Sequence, residues 1–175
     1  GLLAPGHVCA VTGYKDYIRL SAEYRVPVAV TGFEPVDILK GLLATVSMLE
    51  NGNIEVSNCY KRSVKKEGNP YALKTMHEVF SVCDMQWRGI GLIPGSGLAI
   101  REQYSAFDAE KKFDLGETAV DKPGVCIAGA VLSGKSRPSD CPAFSEACSP
   151  EHPLGAPMVS SEGACAAYYK YSSNL

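Results

Sequence analysis

The chain has 175 residues, which corresponds to one ordinary domain or to one domain with a small appendage. Hydrophobic residues make up 46% and charged residues 21% of it, a balance typical of globular proteins. Its 17 basic residues nearly match its 19 acidic ones, which argues against nucleic acid or an anionic membrane as a partner. No apolar run reaches the roughly 18 residues of a membrane span, and no leader sequence opens the chain. We therefore expect a cytoplasmic protein.

The first part of the chain alternates between short apolar runs and amphipathic stretches. Apolar runs at residues 7–12 (HVCAVT) and 27–31 (PVAVT) predict two buried strands, and alternation at 54–57 predicts a third. Helical spacing of the apolar residues predicts helices over 14–25 and 36–49. Strands that alternate with helices indicate a parallel sheet.

A further helix is predicted over residues 69–84, followed by two short strands at 90–93 and 98–101. The fold class that follows is α/β, with a mostly parallel sheet and helices on both faces. A loop-rich, cysteine-bearing segment with a terminal helix is expected to complete the chain.

The composition changes from about residue 114 onward. Six prolines follow, too closely spaced for long periodic elements apart from that terminal helix. Ser160 or Ser161 is predicted to cap the helix, with Glu162 in its first turn. We therefore predict two domains, an α/β lobe over 1–113 and a cysteine-bearing segment over 114–175.

The seven cysteines fall into two groups. Cys9, Cys59 and Cys83 are scattered through apolar or helical contexts and are interpreted as small core residues. The other four lie among Pro, Gly and Ser at positions 126, 141, 148 and 165. In a reducing compartment, clustered loop cysteines hold zinc or an iron–sulfur cluster more often than they form disulfides. Their spacing matches neither a zinc ribbon nor a ferredoxin run, so a structural zinc module and a cluster site both stay open.

Residues 129–136 (GAVLSGKS) match the pattern of a phosphate-binding loop, G-x4-G-K-[ST]. Such a loop needs a strand before it and a helix directly after it, whose first turn presents N–H groups to phosphate. Pro138 and Pro142 follow closely and would break that helix. We interpret the match as a coincidence and keep a nucleotide-binding protein as the weaker alternative.

Several motifs, in one order along the whole chain, resemble the hydrogenase maturation factor HypD. They are PGHV at 5–8, VTGFEPVDIL at 30–39, NCYKRSV at 58–64, WRGIGLIPGSGL at 87–98, FDAEKKF at 107–113, CPAF at 141–144 and ACSPEHPLGAPMVSSEGACAAYYKY at 147–171. HypD proteins are longer and resemble two α/β lobes with a cluster-bearing segment. This chain resembles the second lobe and that segment, so the resemblance implies a missing N-terminal lobe.

The resemblance implies a maturation scaffold with a redox role rather than a stand-alone enzyme. With its partner HypC, HypD holds the iron on which cyanide and carbon monoxide are assembled for a [NiFe]-hydrogenase, and HypE supplies the cyanide. HypC-like and HypE-like proteins are therefore the expected partners, and iron is the expected cargo. Without the N-terminal lobe, the chain alone is expected to be inactive.

The resemblance also implies a 4Fe–4S cluster held by the C-terminal cysteines. Cys141, Cys148 and Cys165 lie in the matching motifs. Some members of the family have a cysteine at the position of Pro157, and proline cannot ligate. This leaves Cys126 as the fourth expected ligand.

Three further residues are candidates for a role in the iron chemistry. His7 in PGHV would face the assembly site, and Glu34 lies in a strand-to-helix connection, where open α/β sheets place ligand-binding groups. Glu162 in SSEGAC is a candidate for handling protons. The alternatives are a structural histidine and two carboxylates that stabilise helix starts.

Overall fold

The computed structural model describes residues 1–87, 89–113 and 124–172. The chain divides into two compact units, Gly1–Val79 and Phe80–Leu175. The predicted domain boundary between residues 113 and 114 falls within the second unit and stays a prediction.

The first unit is built on a parallel sheet of three strands, β1 (Leu2–Pro5), β2 (Val28–Thr31) and β3 (Val56–Asn58). Strand β2 lies in the centre, and all four of its residues are buried. A central parallel strand is covered on both faces, which explains its short and wholly apolar character apart from the terminal threonine. The predicted α/β class is confirmed.

Helices cover both faces of this sheet. They are α1 (Gly6–Thr12), α2 (Lys15–Tyr24), α3 (Pro35–Glu50) and α4 (Pro70–Val79). On one face, Val28 and Val30 share a core with Cys9 of α1. On the other face, Gly41 of α3 approaches Thr31 so closely that an added Cβ would lie 3.0 Å from the Cβ of Thr31. The missing side chain at Gly41 therefore sets how near α3 can lie to the sheet.

The strand predicted over residues 7–12 is wrong, because these residues form helix α1 and the strand precedes them. Gly6 and Cys9 are the buried residues of this helix, and Gly13 follows one turn later as a third buried position. That spacing is helical, whereas the β-branched residues between them favoured a strand. Packing against the sheet has overridden the local propensity.

The helix predicted over residues 69–84 is too long, since α4 ends at Val79 and β4 (Phe80–Trp87) follows at once. The two strands predicted at 90–93 and 98–101 are one strand, β5 (Gly91–Ile100), which pairs antiparallel with β4. The ladder is irregular around Asp84, whose carboxylate accepts a hydrogen bond from the Gly95 N–H at 2.8 Å. The Asp84 side chain thus binds the backbone of the glycine-rich stretch, which resembles a turn in the sequence.

Short elements follow the hairpin in the second unit. They are a 3₁₀ helix (Glu102–Phe107), α5 (Ala109–Lys112), α6 (Ala128–Leu132), a second 3₁₀ helix (Pro138–Asp140), α7 (Ala156–Val159) and α8 (Ala164–Tyr171). The predicted caps of the terminal helix are wrong, because Gly163 occupies the N-cap of α8. Ser160 instead accepts a hydrogen bond from the Glu162 N–H at 3.2 Å, so Glu162 lies in a turn ahead of the helix. Across the described ranges, no helix has the length and apolarity that a bilayer crossing requires.

Candidate functional site

The four C-terminal cysteines line one pocket in the second unit. Cys126 precedes α6, Cys141 follows the second 3₁₀ helix, Cys148 lies in a loop and Cys165 is in the first turn of α8. The structure thus brings together thiols that are up to 39 positions apart in the sequence.

Tight turns hold the two central cysteines in place. The carbonyl oxygen of Cys141 accepts from the Phe144 N–H at 3.0 Å, and the Cys148 N–H donates to the carbonyl oxygen of Ala143 at 2.8 Å. Gly155 leaves space for the Sγ of Cys126, because a Cβ at that position would collide with it. The loop conformations therefore serve to orient the thiols towards the pocket.

The wall of the pocket is apolar. Besides the thiols, its lining comprises Ile127, Ala128, Val131, Phe144, Gly155, Pro157 and Met158, and none of these described residues is charged. Burial raises the pKa of the Cys165 thiol, and the neighbouring thiols of Cys126, Cys148 and Cys141 add to this effect. The Leu154 N–H points at the Sγ of Cys148 from 3.4 Å, a polarised donor beside a sulfur. The pocket can therefore offer four sulfur ligands in apolar surroundings.

This donor set fits an iron–sulfur cluster. In residues 1–87, 89–113 and 124–172, no three His, Cys, Asp or Glu side chains converge tightly enough to coordinate one metal ion. A structural zinc site needs four ligands around a single ion, at about 2.3 Å for each sulfur. A cluster binds each cysteine through a different iron, so its ligands stand further apart. Four cysteine thiols are a ligand set used both by structural zinc sites and by iron–sulfur clusters.

Charged and aromatic residues gather at the carboxyl ends of the strands in the first unit. His7 follows β1, Glu34 follows β2 and Arg62 comes four residues after β3. The rings of His7 and Phe33 lie 5.0 Å apart between centroids. This is the edge of an open parallel sheet at which ligands usually bind.

Arg62 links the two carboxylates at this edge. Its guanidinium donates to both oxygens of Asp37, at 2.9 and 2.6 Å, and to Glu34 at 3.0 Å. Asp37 is buried, whereas Glu34 is largely exposed. The hydrogen bonds from Arg62 hold the pKa of the Asp37 carboxyl below its usual range. Arg62 also lies 4.4 Å above the centre of the Tyr60 ring.

Two glycines make this packing possible. A Cβ on Gly6 or on Gly32 would collide with the Tyr60 ring, and on Gly32 it would also meet the Asp37 carboxylate. The motifs PGHV and GFEPVD thus each place a glycine, which has no side chain, against the Tyr60 ring. The sequence motifs indicate His7 and Glu34 as candidates but not Asp37 and Tyr60. The available signal was that Asp37 falls in the first turn of the helix after β2.

A groove of about 650 Å³ runs beside β3. It is lined by residues 55–59 and by side chains that include Lys40, Lys61 and Arg62. The Sγ of Cys59 lies 3.7 Å from the Ser57 hydroxyl in the same groove. Cys59 is half-buried and is not the core residue that was predicted. Cys9, in contrast, is fully buried in the core of the first unit.

The remaining candidate residue is Glu162. It belongs to the second unit, is exposed, and precedes α8. Its role in handling protons stays a prediction, as do the roles of His7 and Glu34.

The fold and the pocket define an α/β protein whose C-terminal segment carries a four-thiol site. The chain belongs to the HypD family. Residues 1–172 match the family described as "HypD: Hydrogenase formation hypA family".

Relatives with this name support the assignment. The chain is 44% identical to the hydrogenase maturation factor HypD of Cupriavidus necator and 42% identical to HypD of Rhodobacter capsulatus, with 98% of this chain covered in each case. It is also 42% identical to the hydrogenase expression/formation protein HupD of Azotobacter chroococcum, again over 98% of this chain. The matched regions make up 45%, 47% and 45% of these relatives, so the chain spans about half their length.

Proposed function

We propose that this chain serves the maturation of a [NiFe]-hydrogenase as the cluster-bearing part of a HypD protein. The four-thiol pocket carries the proposal, because it unites Cys126, Cys141, Cys148 and Cys165 in a chain that matches HypD over residues 1–172. The names of the relatives, which refer to hydrogenase maturation and formation, support the same process.

The proposed cofactor is a 4Fe–4S cluster with these four cysteines as its ligands. Such a cluster would supply one-electron transfer when bound. The apolar wall would exclude water from the sulfurs, and the N–H group of Leu154 would stabilise negative charge on Cys148. Both features would adjust the reduction potential of the cluster, and neither would take part in a bond-making step.

The iron that receives cyanide and carbon monoxide would be cargo, held for a time with a HypC-like partner, and a HypE-like protein would supply the cyanide. The sheet edge with His7, Glu34 and Arg62 is the surface of the first unit best suited to face that cargo. It combines exposed polar side chains with a rigid base formed by Tyr60 and Asp37. These partners and this orientation are part of the proposal.

Anaerobic reconstitution tests the cofactor. The parent chain should take up about four iron and four sulfide ions and turn brown. Cys141→Ser and Cys148→Ser should each lose the cluster. The first unit should stay folded in both variants, since its core shares no residue with the pocket. Cys83→Ser, which changes a cysteine outside the pocket, is the matched control and should load fully.

Zinc is the competing occupant. One zinc ion per chain after anaerobic reconstitution, with no iron retained, would replace the cluster by a structural zinc site and remove the redox role. The phosphate-binding loop has little support, since residues 129–132 are part of helix α6 rather than a loop ahead of one.

A further inference from the structure

The outer face of helix α3 is unusually apolar. Asp37, Gly41, Thr45 and Met48 are its buried residues. The opposite side is exposed yet carries six large aliphatic side chains, and we call it the outer face of α3: Val36, Leu39, Leu42, Leu43, Val46 and Leu49. Each of these side chains is between 45% and 69% exposed.

The six residues form one continuous surface. They recur at spacings of three and four along the 16-residue helix, which places them on a single side. A helix at the surface of a soluble protein normally presents charged and polar residues there, and a contiguous exposed apolar patch marks an interaction site. The buried side of α3 already covers the sheet, so the outer face has no role within the fold of the first unit.

We propose that the outer face of α3 docks the part of the HypD polypeptide that this chain does not span. The occupant would be an apolar, uncharged helix or sheet face of that polypeptide, supplied within one longer chain or as a separate piece. The proposal rests on family membership and not on the proposed cluster.

Two observations favour this occupant. The relatives contain more than half of their length outside the matched region, which is enough polypeptide for another folded lobe. Gly1 also lies against the C-terminal half of α3, where a Cβ added to it would collide with the buried Thr45 and would be 3.3 Å from the Cδ1 of Leu49 at the end of the outer face. Polypeptide continuous with Gly1 would therefore start near the Leu49 end of the outer face.

The test is co-expression of the full 175-residue chain with the tagged remainder of the Cupriavidus necator relative. The parent chain should co-purify with it in equal amounts. Leu39→Glu/Leu43→Glu should weaken this association about a hundredfold, because two buried contacts would be replaced by unpaired carboxylates. Tyr24→Glu is the matched control, since Tyr24 is an equally exposed residue, at 70%, on another helix of the same unit. It should bind like the parent.

Two further measurements keep the result unambiguous. The circular dichroism and melting temperature of the double variant should match the parent, since both leucines are exposed. Cys148→Ser should still co-purify, which separates this surface from the fate of the cluster. Equal binding by parent and double variant, or no soluble complex with the parent, would overturn the proposal. So would a dimer of the chain that the double variant disrupts, or a large loss of stability in the double variant alone.

Discussion

Arg62 and Asp37 form a bidentate ion pair, in which Asp37 is buried and Arg62 is half-exposed. Asp37 lies at the start of α3 with a side chain only 4% exposed, and Arg62 reaches it from the loop after β3 with distances of 2.9 and 2.6 Å. The pair ties the connections after two neighbouring strands together. It also positions the guanidinium on Tyr60 and beside Glu34.

Replacing Arg62 by methionine should destabilise the first unit, because it leaves the Asp37 carboxylate buried without its donor. We expect the melting temperature to fall by about 5 °C or more. The melting temperature of Arg62→Lys should lie between those of the parent and Arg62→Met, since an ammonium group cannot form the bidentate hydrogen bonds of a guanidinium with both carboxylate oxygens. Glu34→Gln removes only the exposed contact and should shift the melting temperature by no more than about 2 °C. Equal losses for Glu34→Gln and Arg62→Met would contradict the distinction between the two carboxylates.

The same pair predicts how stability depends on pH. The pKa of Asp37 is lowered in the folded protein, mainly by its hydrogen bonds from Arg62. A carboxyl with a lowered pKa stabilises the fold at pH values above its unfolded pKa, near 3.9, and this stabilisation disappears as the pH falls through the folded value. Thermal melts should therefore show the parent and Asp37→Asn converging below about pH 4. A difference in melting temperature between the parent and Asp37→Asn that stays constant down to the lowest pH would exclude a contribution of the Asp37 carboxylate to the pH dependence.

The fold was predictable where one physical signal dominated. The continuous apolar run of β2 and the long apolar pattern of α3 lead to the correct elements. Residues 7–12 misled because their β-branched residues favour a strand, while their burial against the sheet follows the helical positions of Gly6 and Cys9. In β4, the alternation that begins Phe80, Ser81, Val82 was present in the sequence but was masked by the preceding helical pattern.

Sequence patterns indicated the four cysteines that line the pocket but not their arrangement. The resemblance to HypD indicated Cys141, Cys148 and Cys165 and left Cys126 as the fourth candidate, and all four line one pocket. The role of Asp37 could not be predicted, because its partner Arg62 is 25 residues away and only the parallel sheet brings them together. Periodicity describes single elements, whereas a site at a sheet edge depends on their register.

The fourth cluster ligand can be tested by exchange. Cys126 and Pro157 both line the four-thiol pocket. Cys126→Ser should lose the cluster, and Cys126→Ser/Pro157→Cys should regain iron and sulfide because it returns a fourth thiol to the same wall. Cys9→Ala should load like the parent, since Cys9 is buried in the other unit. Iron and sulfide analysis with electron paramagnetic resonance of the reduced protein reports each result. Full loading of Cys126→Ser alone would show that Cys126 is not a ligand.

The last prediction concerns activity. The chain spans 45% of the Cupriavidus necator relative, and we propose that the thiols that hold the iron cargo lie in the part that it does not cover. Cys9 offers no substitute, because it is fully buried and burial raises the pKa of its thiol. A thiol in that state is a poor iron ligand. Cys59 follows β3 in the first unit, and Cys83 is in β4 of the second unit.

We therefore expect that the chain alone will not restore hydrogen uptake in a strain that lacks HypD. Co-expression with the remainder of the Cupriavidus necator relative should restore measurable hydrogenase activity, and Leu39→Glu/Leu43→Glu should reduce that restoration while Tyr24→Glu should not. Cys148→Ser should abolish restoration without affecting the association of the two pieces. Leu39→Glu/Leu43→Glu and Cys148→Ser separate assembly from cluster function, because the first removes the contact and the second removes a proposed ligand. Full activity from the 175-residue chain alone would mean that the iron site lies within it, and the scaffold role would have to be reassigned to residues such as Cys59 and His7.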